Sequence, residues 1–131
     1  MQRKILLSIL MFVVAMPLLS QNADFSVSAS PSSQELPAPS SVFFTVTVTP
    51  SYGFSDTVNL SLDTSSLPST VTASLSSTTV PGGSGSVTLT IHANRFGNGF
   101  YTVYIIGTSG SVSHIAAVSV NVESLKSNTG E

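Results

Sequence analysis

Apolar residues alternate with serine, threonine or asparagine in about seven short segments of this chain, and turn-forming residues separate the segments. The plainest examples are Val58-Asn59-Leu60-Ser61-Leu62 and Val87-Thr88-Leu89-Thr90-Ile91. Because successive side chains of a β-strand point to opposite faces, this alternation places apolar groups on one face and polar groups on the other. β-Branched residues dominate the segments, which favours strands over helices. The sequence therefore predicts an all-β fold.

The spacing of the segments predicts a seven-stranded antiparallel β-sandwich in a single domain, because turns recur every 8–12 residues or so. Residues 31–41 are rich in Pro and Ser and predict a loop with some edge-strand character. Leu67-Pro68 predicts a crossover between the sheets, and Pro81-Gly82-Gly83 predicts a tight turn. Residues 100–106 are almost continuously apolar and predict a central strand packed on both faces. The predicted strands are 25–29, 42–48, 58–62, 71–75, 87–91, 100–106 and 115–122.

The N-terminus has the layout of a secretory signal peptide. Arg3 and Lys4 are followed by 15 mostly apolar residues at 5–19 and then by small and polar residues. The apolar run is shorter than the roughly 20 residues that span a bilayer, although a retained anchor stays an alternative. Cleavage after Ser20 and cleavage after Ala23 are both compatible with the sequence. We expect a signal peptide at 1–23, a β-sandwich domain at 24–123, a flexible tail at 124–131, and a secreted or cell-surface location.

Charge and cysteine content exclude several classes of function. Removing the leader leaves two basic and six acidic residues, a net charge of −4 with His neutral. Nucleic acid is therefore not predicted as a partner, and neither is an anionic membrane bound through a polybasic segment. The chain has no cysteine, which excludes disulfides, thiol catalysis and cysteine-ligated zinc.

Several segments resemble bacterial extracellular Ig-like repeat modules. They are DFSVSASP at 24–31, FTVTVTP at 44–50 followed by YGFSDTVNLS at 52–61, Leu67-Pro68, TVPGGS at 79–84, YTV at 101–103 and GTSG at 107–110. The resemblance extends over about residues 24–122 and implies an Ig-like β-sandwich. Modules of this kind occur in tandem or joined to secreted and surface proteins, as spacers, stalks or adhesion units. The resemblance implies no catalytic or ligand-binding residues.

Four titratable residues are candidates for catalysis or metal binding, and none of them belongs to a recognisable motif. His92 and His114 are the only histidines, and no further metal ligand stands at a recognisable spacing from either. Asp56 and Asp63 flank one predicted strand, roughly 23 Å apart along an extended chain, which is too far for a glycosidase pair. We therefore predict no enzyme activity, no catalytic residue, no metal and no cofactor.

Aromatic residues in predicted turns are the remaining candidates for ligand contact. Tyr52, Phe54 and Phe96 lie in such turns, where binding residues concentrate. If they were coplanar and exposed, they would form a sugar-stacking platform, so a carbohydrate-binding module is the alternative function. The competing interpretation has the aromatic residues capping the core, with Tyr101 or Tyr104 bonded to the backbone near a corner.

The sequence predicts a non-enzymatic module that makes protein–protein or cell-surface contacts, in a structural or adhesive role. The partner is expected to be a protein or a cell-surface glycan of unknown identity, contacted through end loops or an edge strand. Edge self-association is a further expectation, because hydroxyl-rich strands with few charges are poorly protected against pairing with another chain. No membrane insertion of the mature domain is expected.

Overall fold

In the computed structural model, residues 22–124 form nine β-strands and one short 3-10 turn. The predicted signal peptide lies outside these residues except for Asn22 and Ala23, and the predicted tail lies outside them except for Ser124. The strands are β1 (Asp24–Ser30), β2 (Ser33–Ala38), β3 (Ser40–Ser51), β4 (Val58–Asp63), β5 (Val71–Leu75), β6 (Thr79–Val80), β7 (Gly85–Ala93), β8 (Gly99–Ser109) and β9 (Val112–Ser124).

The strands form two sheets, and the predicted all-β class is confirmed. One sheet has the order β1-β3-β7-β5, and the other has the order β2-β9-β8-β4-β6. All neighbours are antiparallel except β2, which runs parallel to β9. The two sheets enclose one hydrophobic core, which is the architecture of a β-sandwich.

The core follows directly from the period-two pattern. In β3, Phe44, Val46 and Val48 are buried, whereas Thr45 and Thr49 between and beyond them are exposed. The other long strands contribute inward residues in the same way, among them Leu89 and Ile91 of β7 and Val103 and Ile105 of β8. Full burial of one such side chain contributes about 1.5–3 kcal/mol. The alternation read from the sequence therefore identifies the layer between the sheets.

The predicted count of seven strands is not confirmed, because two short edge strands are added. β2 lies within residues 31–41, which were predicted as a loop with edge character, and it buries Leu36 and Ala38 completely. It pairs on one side only, so Pro37 costs it no interior ladder bond. β6 has two residues and pairs with the start of β4.

The prediction that residues 100–106 pack on both faces is wrong. β8 is central in its sheet, between β9 and β4, and its inward residues Val103 and Ile105 are fully buried. Its outward residues are not covered, since Phe100 is 79% exposed and Tyr104 is 44% exposed. No other layer lies on this outer face among residues 22–124. A continuous apolar run allows both faces of a strand to be buried. Burial of the outer face also requires another layer packed on it, and β8 has none among residues 22–124.

The turn predicted at residues 81–83 and the predicted crossover are present. Pro81–Gly83 is a 3-10 turn, and a further two-residue turn of Gly110 and Ser111 joins β8 to β9. Gly110 has φ 60, which glycine adopts without steric cost. The segment around Leu67-Pro68 carries the chain from β4 in one sheet to β5 in the other. The hydroxyl group of Tyr101 donates a hydrogen bond to the Asn98 carbonyl, so Tyr101 is the residue that bonds to the backbone at a corner.

Candidate functional site

The three predicted turn aromatics do not share one surface. Tyr52 and Phe54 follow the end of β3, whereas Phe96 follows the end of β7. Ala93 of β7 pairs with Ser40 at the start of β3, so Phe96 lies at the opposite end of the sandwich. β3 is 12 residues long, which separates the two ends by roughly 35 Å. The coplanar platform expected from these residues is therefore not formed.

The individual environments of these residues also differ. Tyr52 is 61% exposed and Phe96 is 71% exposed. Phe54 is half-buried, and its ring lies 5.1 Å from that of Phe25, centroid to centroid. A Cβ atom at Gly83 would collide with the Phe54 ring, so the 3-10 turn packs closely over it. Phe54 therefore closes one end of the core.

The two histidines are held apart by the two sheets. His92 lies on β7, where its Nδ1 is 2.9 Å from Ser41 Oγ. His114 lies on β9, and its Nε2 donates to Asp24 Oδ1 at 2.7 Å. That hydrogen bond is the main reason why the pKa of Asp24 lies below its ordinary value of 3.8, and the Phe25 amide also lowers it. Within residues 22–124, no group of three or more His, Asp or Glu could hold a metal ion.

Asp63 is held in a local turn and is not paired with Asp56. Its Oδ1 accepts a hydrogen bond from the Ser65 backbone amide at 3.0 Å. This bond lowers the pKa of Asp63, and the Ser65 side chain acts in the same direction. Asp56 lies at the other end of β4, in the loop before the strand.

The outer faces of the two sheets differ in chemistry. On the four-stranded sheet, the outward residues of β1, β3, β5 and β7 are almost all Ser or Thr, and some of their hydroxyls bond across strands. Thr47 Oγ1 and Ser86 Oγ, for example, are 3.1 Å apart. The exceptions are Asp24 at one corner, Phe43, which is 59% exposed, and His92. We call this surface the hydroxyl face.

The outer face of the five-stranded sheet carries an exposed apolar strip. Phe100, Tyr104 and Ile106 lie on the outward side of β8, and Ile115 lies opposite Ile106 on β9. Ile115 is 61% exposed, and Ile106 is half-buried. We call these four residues the aromatic face. Sequence reasoning placed Phe100 and Tyr104 in a doubly packed strand. Their spacing of four residues within one strand was the signal that they share a face.

Polar side chains flank each exposed ring in register. Asp63 of β4 lies opposite Tyr104, and Asn121 of β9 lies opposite Phe100. Glu35 of β2 lies opposite Asn121 on its other side. Asn121 Nδ2 donates to Glu35 Oε1 at 2.9 Å and to Glu123 Oε2 at 3.4 Å. Beside Phe100, a shallow groove of about 310 Å³ is lined by Glu35 and Asn121 together with Ser33 and Ser119.

One sheet edge is left open at β5. The Asn94 amide donates to the Thr70 carbonyl, and the Ser76 amide donates to the Thr88 carbonyl. The backbone groups of the even-numbered residues from 70 to 76 therefore form the hydrogen bonds with β7. Those of Ala73 and Leu75 point away from the sheet. The strand contains no proline and no charged residue.

No protein-family model matches the chain, and a search of curated proteins gives no significant match. No helix within residues 22–124 has the length and apolar character needed to cross a membrane.

Proposed function

We propose that the domain is an Ig-like β-sandwich. The strand order supports this proposal, since β1-β3-β7-β5 against β9-β8-β4 corresponds to the ABED and GFC sheets of constant-type Ig domains. Tyr101 also supports it. Many Ig domains have a tyrosine near the start of the equivalent strand that bonds to the backbone a few residues upstream, as Tyr101 does with Asn98.

We further propose that the chain is exported and acts as a non-enzymatic contact module of the cell surface. The observation that carries the proposal is the aromatic face. Two rings and an isoleucine stand 44–79% exposed on the outer face of an antiparallel sheet, where polar side chains normally meet the solvent. Tyr104, Ile106 and Ile115 are neighbours on this face, and exposed apolar groups that lie together mark interaction sites. The signal-peptide pattern of residues 1–23 supports export.

Fractionation and envelope binding together test this function. The full chain is expressed with its leader in a bacterial host, and the intact mass is measured in each fraction. We expect the product outside the cytoplasm to lack the first 20 or 23 residues of the chain. The purified product should then cosediment with envelope fragments. Tyr104→Ala should weaken this cosedimentation, whereas Phe43→Ala on the hydroxyl face should not.

Two results would contradict the proposal. One is an unprocessed product that stays in the cytoplasm. The other is envelope binding that is absent, or that responds equally to the Tyr104 and Phe43 substitutions. Phe43 is a matched control because it is also an exposed aromatic residue of a sheet surface, 59% exposed, but on the opposite side of the sandwich.

We also propose that two copies can pair along β5. The unpaired backbone groups of Ala73 and Leu75 offer donors and acceptors to an added strand, and no charge or proline of β5 opposes it. This contact is separate from the aromatic face, because β5 is the edge of the other sheet.

A further inference from the structure

We infer that the aromatic face binds a linear, uncharged saccharide chain that lies along β8 and stacks on Phe100 and Tyr104. This inference rests on the proposed function and names the chemical class of its partner. Phe100 and Tyr104 stand on one side of one strand, whereas the turn aromatics lie at opposite ends of the molecule and cannot contact one ligand together.

The spacing of the rings suits a chain-like ligand. Phe100 and Tyr104 are four residues apart in β8, which corresponds to about 13 Å along the strand. The outward positions between and beside them are small, namely Thr102 on β8 with Ser119 and Ala117 on β9. The two rings therefore stand at the ends of a row of small side chains, and the groove beside Phe100 opens from that ring towards β2. A single sugar is too short to reach both rings, but a short oligosaccharide spans them.

The groups beside the two rings match a hydroxyl-bearing ligand. The face of an aromatic ring is electron-rich and attracts the weakly positive C–H bonds of a sugar ring. Each ring has hydrogen-bonding groups beside it, namely Asp63 near Tyr104, and Asn121 with Glu35 near Phe100. Carboxylates accept hydrogen bonds from sugar hydroxyls, and the Ser33 and Ser119 hydroxyls can donate or accept them.

The charge around the aromatic face argues against an anionic ligand and against a second copy of this chain. The carboxylates of Asp63, Glu35 and Glu123 lie beside the two rings of the aromatic face, so an anionic ligand would be repelled. Arg95 is the only Lys or Arg among residues 22–124, and its guanidinium lies 5.1 Å from the Phe96 ring centroid on the β7–β8 loop. A second copy docked face to face would therefore cover these carboxylates without a cation to pair with them, which is costly.

The distribution of the rings also distinguishes a saccharide from a protein partner. In protein interfaces, the energetically dominant side chains cluster near the centre of the contact. Here the two rings stand about 13 Å apart with Thr, Ser and Ala between them, and Ile106 and Ile115 lie beyond Tyr104 at one end. This arrangement favours a ligand that stacks at intervals along its length.

Binding to defined polysaccharides tests the inference. The exported, processed protein is incubated with microcrystalline cellulose, chitin, β-1,3-glucan and galactomannan, and with envelope fragments before and after periodate oxidation. We expect binding to at least one polysaccharide, or envelope binding that periodate abolishes. Phe100→Ala and Tyr104→Ala should each weaken binding about tenfold or more, and Tyr104→Phe should retain most of it. Phe43→Ala and Phe96→Ala, which remove other exposed rings, should change it by less than about twofold.

Each other result overturns the inference in a recognisable way. Envelope binding that needs Phe100 and Tyr104 but survives periodate, with no polysaccharide bound, identifies a protein partner and leaves the proposed function intact. A dimer that Tyr104→Ala dissociates in sedimentation velocity identifies a second copy as the occupant. Loss of binding equally in the Phe43, Phe96, Phe100 and Tyr104 variants shows that the aromatic face is not the site. If the protein binds neither envelope nor polysaccharide, the proposed function fails as well.

Discussion

The side chains of Asp24 and His114 link the two sheets through one hydrogen bond. Asp24 begins β1 of the four-stranded sheet, and His114 lies on β9 of the other sheet. Their hydrogen bond, 2.7 Å between Nε2 and Oδ1, crosses the seam where β1 lies beside β9. The imidazole also packs edge-on against the Phe25 ring, with centroids 4.9 Å apart. One polar contact thus anchors the start of the N-terminal strand to β9 of the other sheet.

The lowered pKa of Asp24 makes a prediction about acid stability. The ionised carboxylate is favoured in the folded chain, so its contribution is complete above the ordinary value of 3.8 and is lost as the pH falls through the lower folded pKa. We expect Asp24→Asn to lower the urea midpoint at neutral pH. The variant and wild-type curves should converge below pH 3.8.

The measurement is the urea midpoint as a function of pH for both proteins. Asp56→Asn is the matched control, because Asp56 is an exposed loop carboxylate and its removal should leave the wild-type profile unchanged. A constant offset between the Asp24→Asn and wild-type curves at every pH would show that the carboxylate charge plays no part.

At the element scale, β2 shows how a segment with two flanking prolines becomes part of the core. Pro31 and Pro39 bracket the strand, and Pro37 lies within it. The sequence pattern therefore favoured a loop. β2 nevertheless inserts Leu36 and Ala38 between the sheets and pairs in parallel with the last six residues of β9. An edge strand needs ladder bonds on one side only, which is why these prolines are tolerated.

Truncating Leu36 tests whether β2 is a core strand. Leu36 is fully buried, so Leu36→Ala should lower the free energy of unfolding by about 2–5 kcal/mol through lost burial and a residual cavity. Ser33→Ala changes an exposed residue of the same strand and should alter it by less than about 0.5 kcal/mol. Denaturant unfolding of both variants is the measurement. Equal, small effects would mean that β2 contributes no core packing.

At the scale of the whole molecule, one sandwich presents two outer faces of different character. The hydroxyl face carries Ser and Thr with scattered exceptions, whereas the aromatic face carries exposed rings flanked by carboxylates. Both sheets fill the core with the same kinds of side chain, mainly Val, Leu and Ile, so core packing does not account for this difference. It leaves the molecule with one side suited to contact and another that water solvates through hydroxyl groups.

Assembly of whole molecules through β5 gives the last prediction. The Ala73 amide points to the open edge, so Ala73→Pro removes a donor that an added strand would use without breaking a ladder bond to β7. We expect wild-type protein to associate with rising concentration in sedimentation velocity and Ala73→Pro to reduce this association. Ser74→Ala keeps every backbone donor and should behave as wild type. Wild-type protein that stays monomeric at high concentration would contradict edge pairing.

Seven of the nine strands, their inward residues and the turns follow from the amino-acid sequence, because these depend on local periodicity and on residues such as Gly110 and Pro81. The distance of Phe96 from Phe54, the place of β2 in the core and the exposure of Phe100 and Tyr104 emerge only in the folded molecule. Alternation specifies which side chains share a face of one strand and nothing more. Which strands become neighbours, and whether another layer covers a face, depends on contacts between residues that are distant in the chain.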